Sequence, residues 1–148
     1  MIIHRLAKKD DLSRILELAD RIEEDSSHDL RRNISSHFKW SSSPFRYFLF
    51  SHPQHNAVSY LAVGDSFLND TFCCSLDQIA VDKNFSNQGI GLAMLEQVPS
   101  LAKEAFGRPF THVGLYASGS SYTFYEKHGF SLVDPHSPYM GSFYIKKI

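Results

Sequence analysis

Apolar positions recur along this chain in two rhythms, and the changes of rhythm divide it into elements. A short apolar run from Ile2 to Leu6 reads as a strand. Asp10-Asp11 then opens a three-to-four pattern, with Leu12, Ile15, Leu16, Leu18 and Ala19 on one face. That pattern predicts a helix reaching about Ile22, with Asp10 as its N-cap. An acidic turn follows, Glu23-Glu24-Asp25-Ser26-Ser27-His28-Asp29, and then a weaker helix through Leu30, Ile34, Phe38 and Trp40, closed by Ser41-Ser42-Ser43-Pro44. From Phe45 the period becomes two. Arg46 to Ser51, Ala57 to Gly64 and Thr71 to Val81 read as strands, parted by His52-Pro53 and by Leu68-Asn69-Asp70. Their short links predict an antiparallel meander. A polar stretch from Asp82 to Gln88 leads into Gly89-Ile90-Gly91 and a helix with Leu92, Leu95, Val98, Ala102 and Ala105 on one face. Pro99 is expected to kink that helix and Gly107 to stop it. Thr111 to Ala117 is a strand, Ser120 to His128 a short helix, and Phe130 to Val133 and Ser142 to Lys147 are the last strands. The order β-α-α-β-β-β-α-β-α-β-β is mixed α/β, not uniform alternation. With no repeat, low-complexity stretch or linker, residues 1–148 are expected to form a single domain.

Composition narrows the function more than the fold. Fifteen Lys+Arg against sixteen Asp+Glu give a net charge of −1, which excludes a general nucleic-acid binder held by a basic surface. No apolar run approaches the ~20 residues of a membrane span. The start, Met1-Ile2-Ile3-His4-Arg5, turns polar too soon for a signal peptide, so a soluble cytoplasmic protein is expected, with no membrane partner. Cys73 and Cys74 are adjacent, and neighbours in a strand point to opposite faces, so they are expected to be two reduced thiols in a buried strand. His52-Pro53-Gln54-His55 is the only close histidine pair; without nearby cysteines or carboxylates it predicts no metal site.

The informative stretch is the strand Asp77-Gln78-Ile79-Ala80-Val81, followed after a polar loop by Gln88-Gly89-Ile90-Gly91-Leu92-Ala93. Small residues at a helix start let backbone N–H groups converge on an anion, and the helix dipole favours negative charge there. No Gly-Lys-Ser/Thr follows, which excludes a P-loop. The dinucleotide fingerprint also fails: Met94 stands where a third glycine belongs, and the next strand, ending at Tyr116-Ala117, brings no acidic residue for a ribose. On the glycines alone, a tight turn that merely starts a helix fits equally well.

The surroundings separate these readings. Strand, polar loop, Gly-x-Gly and amphipathic helix resemble the acetyl-CoA motif of the GNAT superfamily of N-acetyltransferases. Phe124-Tyr125-Glu126-Lys127-His128-Gly129-Phe130 resembles that superfamily's closing motif, a Tyr followed by Gly-Phe at the end of a short helix. The order of elements is similar along essentially the whole chain. The resemblance implies the acyl-CoA N-acyltransferase fold, a central, mostly antiparallel sheet splayed at the cofactor site and flanked by helices. It also implies acetyl-CoA as cosubstrate. Carried over by position, Ile79, Ala80 and Val81 would offer backbone to the pantetheine arm. Asn87, Gln88, Gly89, Ile90, Gly91, Leu92 and Ala93 would wrap the pyrophosphate. Ser118 stands where the family often has an Asn that contacts the cofactor, and Ser86 where its loop usually begins with Arg or Gln.

The chemistry the resemblance implies is acetyl transfer to a primary amine of a small molecule or protein, by direct attack in a ternary complex. An amine with a reference pKa of ~10.4 must first lose a proton. Asp77, two residues before Ile79, stands where relatives resembling serotonin N-acetyltransferase place a catalytic histidine, and is the candidate base; an ordered water is the alternative. Tyr125 would protonate the departing CoA thiolate, and a backbone N–H near Ala80 or Val81 would hold the oxyanion. Glu23, Glu24, Asp25 and Asp29 on one side and Pro135 to Tyr139 on the other would flank the acceptor. Trp40, Tyr47 and Tyr60 read as pocket lining or as core. The rival reading is a non-catalytic module of the same fold that senses acyl-CoA or binds a protein; a homodimer is left open.

Overall fold

A computed structural model describes residues 2–20, 22, 27–40, 44–53, 56–68, 71–117, 121–137 and 141–148. The elements are β1 (Ile3–Leu6), α1 (Leu12–Ala19), α2 (Ser27–Trp40), β2 (Phe45–Ser51), β3 (Ala57–Leu68) and β4 (Thr71–Val81). They continue with α3 (Ile90–Phe106), β5 (His112–Ala117), α4 (Tyr122–Lys127), β6 (Ser131–Ser137) and β7 (Gly141–Lys147). Kinds and order follow the periodicity of the sequence. The strands form one seven-stranded sheet in the order β1-β2-β3-β4-β5-β7-β6.

The first four strands are neighbours in chain order; short links join β2 to β3 and β3 to β4, while α1 and α2 lie between β1 and β2. β1 and β2 pair antiparallel from Ile3↔Ser51 to Leu6↔Phe48. Asp82, just past β4, donates its N–H to Val58 O near the start of β3 at 2.7 Å. β4 and β5 are parallel, pairing at Cys74↔Val113 and Ser75↔Gly114, because α3 carries the chain back between them. β5 pairs antiparallel with β7 over its whole length, His112↔Lys147 to Ala117↔Ser142.

Several boundaries differ from the expected ones, each for a local reason. Asp10 does not cap α1. A 3-10 turn at Lys9–Asp11 precedes the helix, and Asp11 is the residue engaged: its Oδ2 accepts the Lys8 N–H at 2.7 Å, and Arg5 donates to both its oxygens at 2.7 and 2.8 Å. α1 ends at Ala19, before Ile22. β3 continues beyond Gly64 to Leu68, and β6 beyond Val133 to Ser137. β6 lies at the sheet edge, where a proline is tolerated, and two register shifts against β7 accommodate Pro135. Pro99 sits inside α3, and Gly107, at φ 73°, ends it.

Contacts cluster into two compact units, residues 1–62 with 78–96 and residues 63–77 with 97–148, so β3, β4 and α3 contribute to both. In the first, Ile15, Leu18 and Ala19 of α1 and Ile34 of α2 pack on Tyr47, Leu49, Ala57, Tyr60, Ala62 and Ala80. Gln78 is buried in this core and satisfied from both ends, since its Nε2 donates to Tyr47 Oη at 3.0 Å and the Tyr60 hydroxyl donates to its Oε1 at 2.8 Å. Tyr47 and Tyr60 are therefore core, while the Trp40 side chain lies outside the described set. In the second unit, Val113, Leu115, Tyr125, Phe130, Phe143 and Tyr144 are buried together with Cys73 and Cys74, which are both unbridged. Among the described residues no helix is long and apolar enough to cross a membrane, and no group of three metal-ligating side chains occurs.

Candidate active site

The first unit carries the glycine turn. At the end of β4, Asp82 Oδ1 accepts the Asn84 N–H at 2.9 Å and caps a 3-10 turn at Lys83–Phe85. Its other oxygen accepts from Arg14 Nη2 at 2.7 Å, and Arg14 Nε donates to Ala57 O at 2.8 Å. The start of the loop is thus fixed to α1 and β3. Ser86 is exposed, and its hydroxyl donates back to Lys83 O at 2.8 Å, tightening the same turn. Asn87 (φ 61°) and Gly89 (φ 78°) both take the left-handed conformation, which Asn tolerates and Gly adopts without a Cβ penalty.

These two reversals aim the chain into α3, whose first helical bond runs from Ala93 N–H to Gly89 O at 3.0 Å. The N–H groups of Ile90, Gly91 and Leu92 consequently have no acceptor within the helix. Ile90 is buried and anchors the turn, while Gln88, Gly89 and Ala93 are exposed. Gly91 is the telling residue. Its backbone is not left-handed, and a Cβ built on it meets nothing within 4 Å among the described residues. Neither conformation nor packing demands glycine there, although alanine would favour the helix by up to about 1 kcal/mol. A side chain there would stand in open space in the first turn of α3, where Ile90, Gly91 and Leu92 carry the N–H groups that the helix itself leaves without an acceptor. With the dipole of a 17-residue helix behind them, those groups suit a phosphate. Upstream, Ile79 and Val81 are half-buried and Ala80 packs into the core.

The second unit carries Tyr125. Its ring is buried, edge-on to Phe124 at 5.3 Å and to Phe130 at 5.6 Å. Gly129 takes φ 91°, and the N–H of Phe130 returns to Tyr125 O at 3.1 Å. The Gly-Phe pair thus folds the chain back so that Phe130 walls the tyrosine. Among the described residues the Tyr125 hydroxyl makes no hydrogen bond, and burial pushes its pKa up to about 12, so it keeps its proton at neutral pH. Asp77 belongs to the same unit and is exposed.

The structure therefore groups Ile79, Ala80 and Val81 with Asn87 to Ala93 in one unit, and Asp77 with Tyr125 in the other. Ser118, Glu23, Glu24 and Asp25, the side chain of Asp29 and residues 138–140 lie outside the described set. Sequence reasoning missed Arg14, Asp82 and Gln78. Arg14 and Asp82 meet across 68 positions, and a glutamine within a strand carries no sign that two distant tyrosines will satisfy it.

The Acetyltransferase (GNAT) domain family matches residues 47–132, more than half of the chain, and the chain belongs to this family of acetyltransferases. No curated protein matches it. Among solved structures it is similar to the PaiA N-acetyltransferase of Thermoplasma acidophilum in complex with coenzyme A, at 15% identity over 100% of this chain and 99% of that one, with a TM-score of 0.69. It is also similar to a GNAT-family acetyltransferase of Staphylococcus aureus, at 18% identity over 99% of each chain, TM-score 0.73. A spermidine N-acetyltransferase chimera from Vibrio cholerae and hSSAT matches at 14% identity over 99% of this chain and 95% of that one, TM-score 0.69. At such identities the likeness is one of fold.

Proposed function

We propose that the chain is an N-acetyltransferase that moves an acetyl group from acetyl-CoA to a primary amine of a small molecule or protein, by direct attack in a ternary complex. The observation that carries this reading is Gly91, a helical glycine whose missing side chain leaves open space among the described residues. When bound, acetyl-CoA supplies an acyl group already activated as a thioester. The chain's own work is to hold, orient and move protons. The N–H groups of Ile90, Gly91 and Leu92 hold the pyrophosphate, with the turn from Asn87 to Ala93 around it, and Ser118 adds a polar contact. The backbone of Ile79, Ala80 and Val81 lies along the pantetheine arm. An N–H near Ala80 or Val81 bonds the carbonyl oxygen as negative charge gathers on it. Asp77, directly or through an ordered water, takes the proton of the incoming ammonium.

Magnitudes refine the role of Tyr125. A thiol has a reference pKa of ~8.5, well below the value of about 12 to which burial pushes the Tyr125 hydroxyl. Complete transfer of that proton to the sulfur is uphill. Tyr125 therefore acts chiefly by donating a hydrogen bond to the departing thiolate, which then takes a proton from solvent.

Calorimetry with coenzyme A, followed by thiol release from acetyl-CoA with a panel of primary amines, tests the reading. Wild-type protein should bind, and Gly91→Glu should not, because a carboxylate would occupy the phosphate position. Undiminished affinity in a folded Gly91→Glu protein removes the cradle. Binding without amine-dependent thiol release leaves the non-catalytic acyl-CoA sensor in its place.

A further inference from the structure

The helix that carries Tyr125 is too short to hold itself in place. α4 has six residues and its N-cap, Ser121, makes no side-chain cap bond; isolated helices below about 12 residues are marginal in water. Two hydrogen bonds to β7 supply what the helix lacks, one at each end. At the first end Ser142 Oγ lies 3.1 Å from Tyr122 Oη and 3.1 Å from Pro135 O. The carbonyl can only accept, so Ser142 donates to Pro135 and accepts from Tyr122. At the other end the Tyr144 hydroxyl donates to Glu126 Oε1 at 2.8 Å. The rings of Tyr122 and Tyr144 lie 5.8 Å apart. Residues 122 and 126 are one helical turn apart and share a face, and Tyr125 stands between them. Tyr144 is buried and Glu126 exposed, so the glutamate is the accessible half of this fastening. Burial first, and then the bond to Glu126, raise the Tyr144 pKa to about 12, keeping the hydroxyl a donor.

We propose that Glu126 is a positioning residue, which accepts the Tyr144 hydrogen bond and so fixes α4 in the orientation that presents the Tyr125 hydroxyl. This rests on the reading of Tyr125 as the group that bonds the departing sulfur. The variants Glu126→Ala, Tyr144→Phe and Glu126→Gln separate the two ideas, each made alone and together with Tyr125→Phe. The readouts are single-turnover acetyl transfer to whichever panel amine gives thiol release, coenzyme A affinity, and amide exchange of His128 and Phe130, whose N–H groups bond Tyr125 O. Glu126→Ala and Tyr144→Phe should speed that exchange in the ligand-free protein. They should lower the transfer rate by about tenfold or more with coenzyme A affinity unchanged. Glu126→Gln, whose amide oxygen still accepts, should restore both. In the Tyr125→Phe background none should slow transfer further. Slow transfer in Tyr125→Phe beside a wild-type rate and exchange in Glu126→Ala overturns the positioning role alone, as do losses that simply multiply in the double variants. Wild-type transfer in Tyr125→Phe overturns the tyrosine reading, and the purpose assigned to Glu126 with it.

Discussion

On the function proposed above, Gly91 and Tyr125 should respond to substitution in opposite ways, because one would matter for the atoms it lacks and the other for a single oxygen. Gly91→Ala places a methyl where the chain has open space. It should raise stability by up to about 1 kcal/mol through helix propensity while weakening coenzyme A binding; a thermal melt and a calorimetric titration of one preparation check both. A stabilised protein with unchanged affinity would mean that the glycine serves no ligand. Tyr125→Phe keeps the ring against Phe124 and Phe130. Turnover should fall by about 10–100-fold, the worth of a hydrogen bond to a charged group. Coenzyme A affinity should hold, and stability should stay within about 1 kcal/mol because no buried partner is orphaned. The pH dependence has a definite sign. The folded pKa lies above the unfolded one of ~10, so the stability this hydroxyl contributes is intact below pH ~10. It is lost as pH rises through the folded value of about 12, and between neutrality and ~10 Tyr125 should add no inflection to the rate profile.

At the scale of elements, the glycine turn is only as well placed as the strand end that launches it. Asp82→Ala removes both the cap on Asn84 N–H and the partner of Arg14. It should cost about 1–2 kcal/mol, as the loss of a cap does, and weaken coenzyme A binding. Glu17→Ala deletes only the other, exposed partner of Arg14, and should change either quantity little. Urea midpoints and calorimetry of the two variants side by side make the comparison. The element order was legible because three-to-four and alternating rhythms are local. So were the glycine turn and the Tyr…Gly-Phe ending, whose spacing is set by backbone conformation within a few residues. What joins elements was not legible. Asp10 is the cap the sequence predicts, whereas Asp11 is the residue that Arg5 engages from β1. That β7 inserts between β5 and β6 follows from tertiary pairing, as do the Arg14–Asp82 and Glu126–Tyr144 contacts.

Across the molecule, the second unit is packed tightly where β4, β5 and β7 meet. A Cβ on Gly114 would stand 2.8 Å from Cys73 Sγ, closer than real Cβ atoms come, and 3.2 Å from the Phe143 ring, tighter than most. Gly114→Val should therefore destabilise by about 1–3 kcal/mol through overpacking, visible as a lower urea midpoint, and Cys73→Ala in the same chain should recover part of it. Cys73 and Cys74 are the chain's two cysteines, both wholly buried, and burial, followed by the neighbouring Cys73, pushes the Cys74 thiol up to about 12. The thiolate is the reactive form, so a disulfide dye added to the folded protein should react with these thiols only slowly. For the acetyl transfer proposed above, colour that develops quickly with acetyl-CoA and an amine should then count product and not the protein's own thiols. In concentrated guanidinium the same dye should count two equivalents per chain. Under native conditions, the slow pace at which those two equivalents surface is a built-in clock for how often the centre of the sheet comes apart.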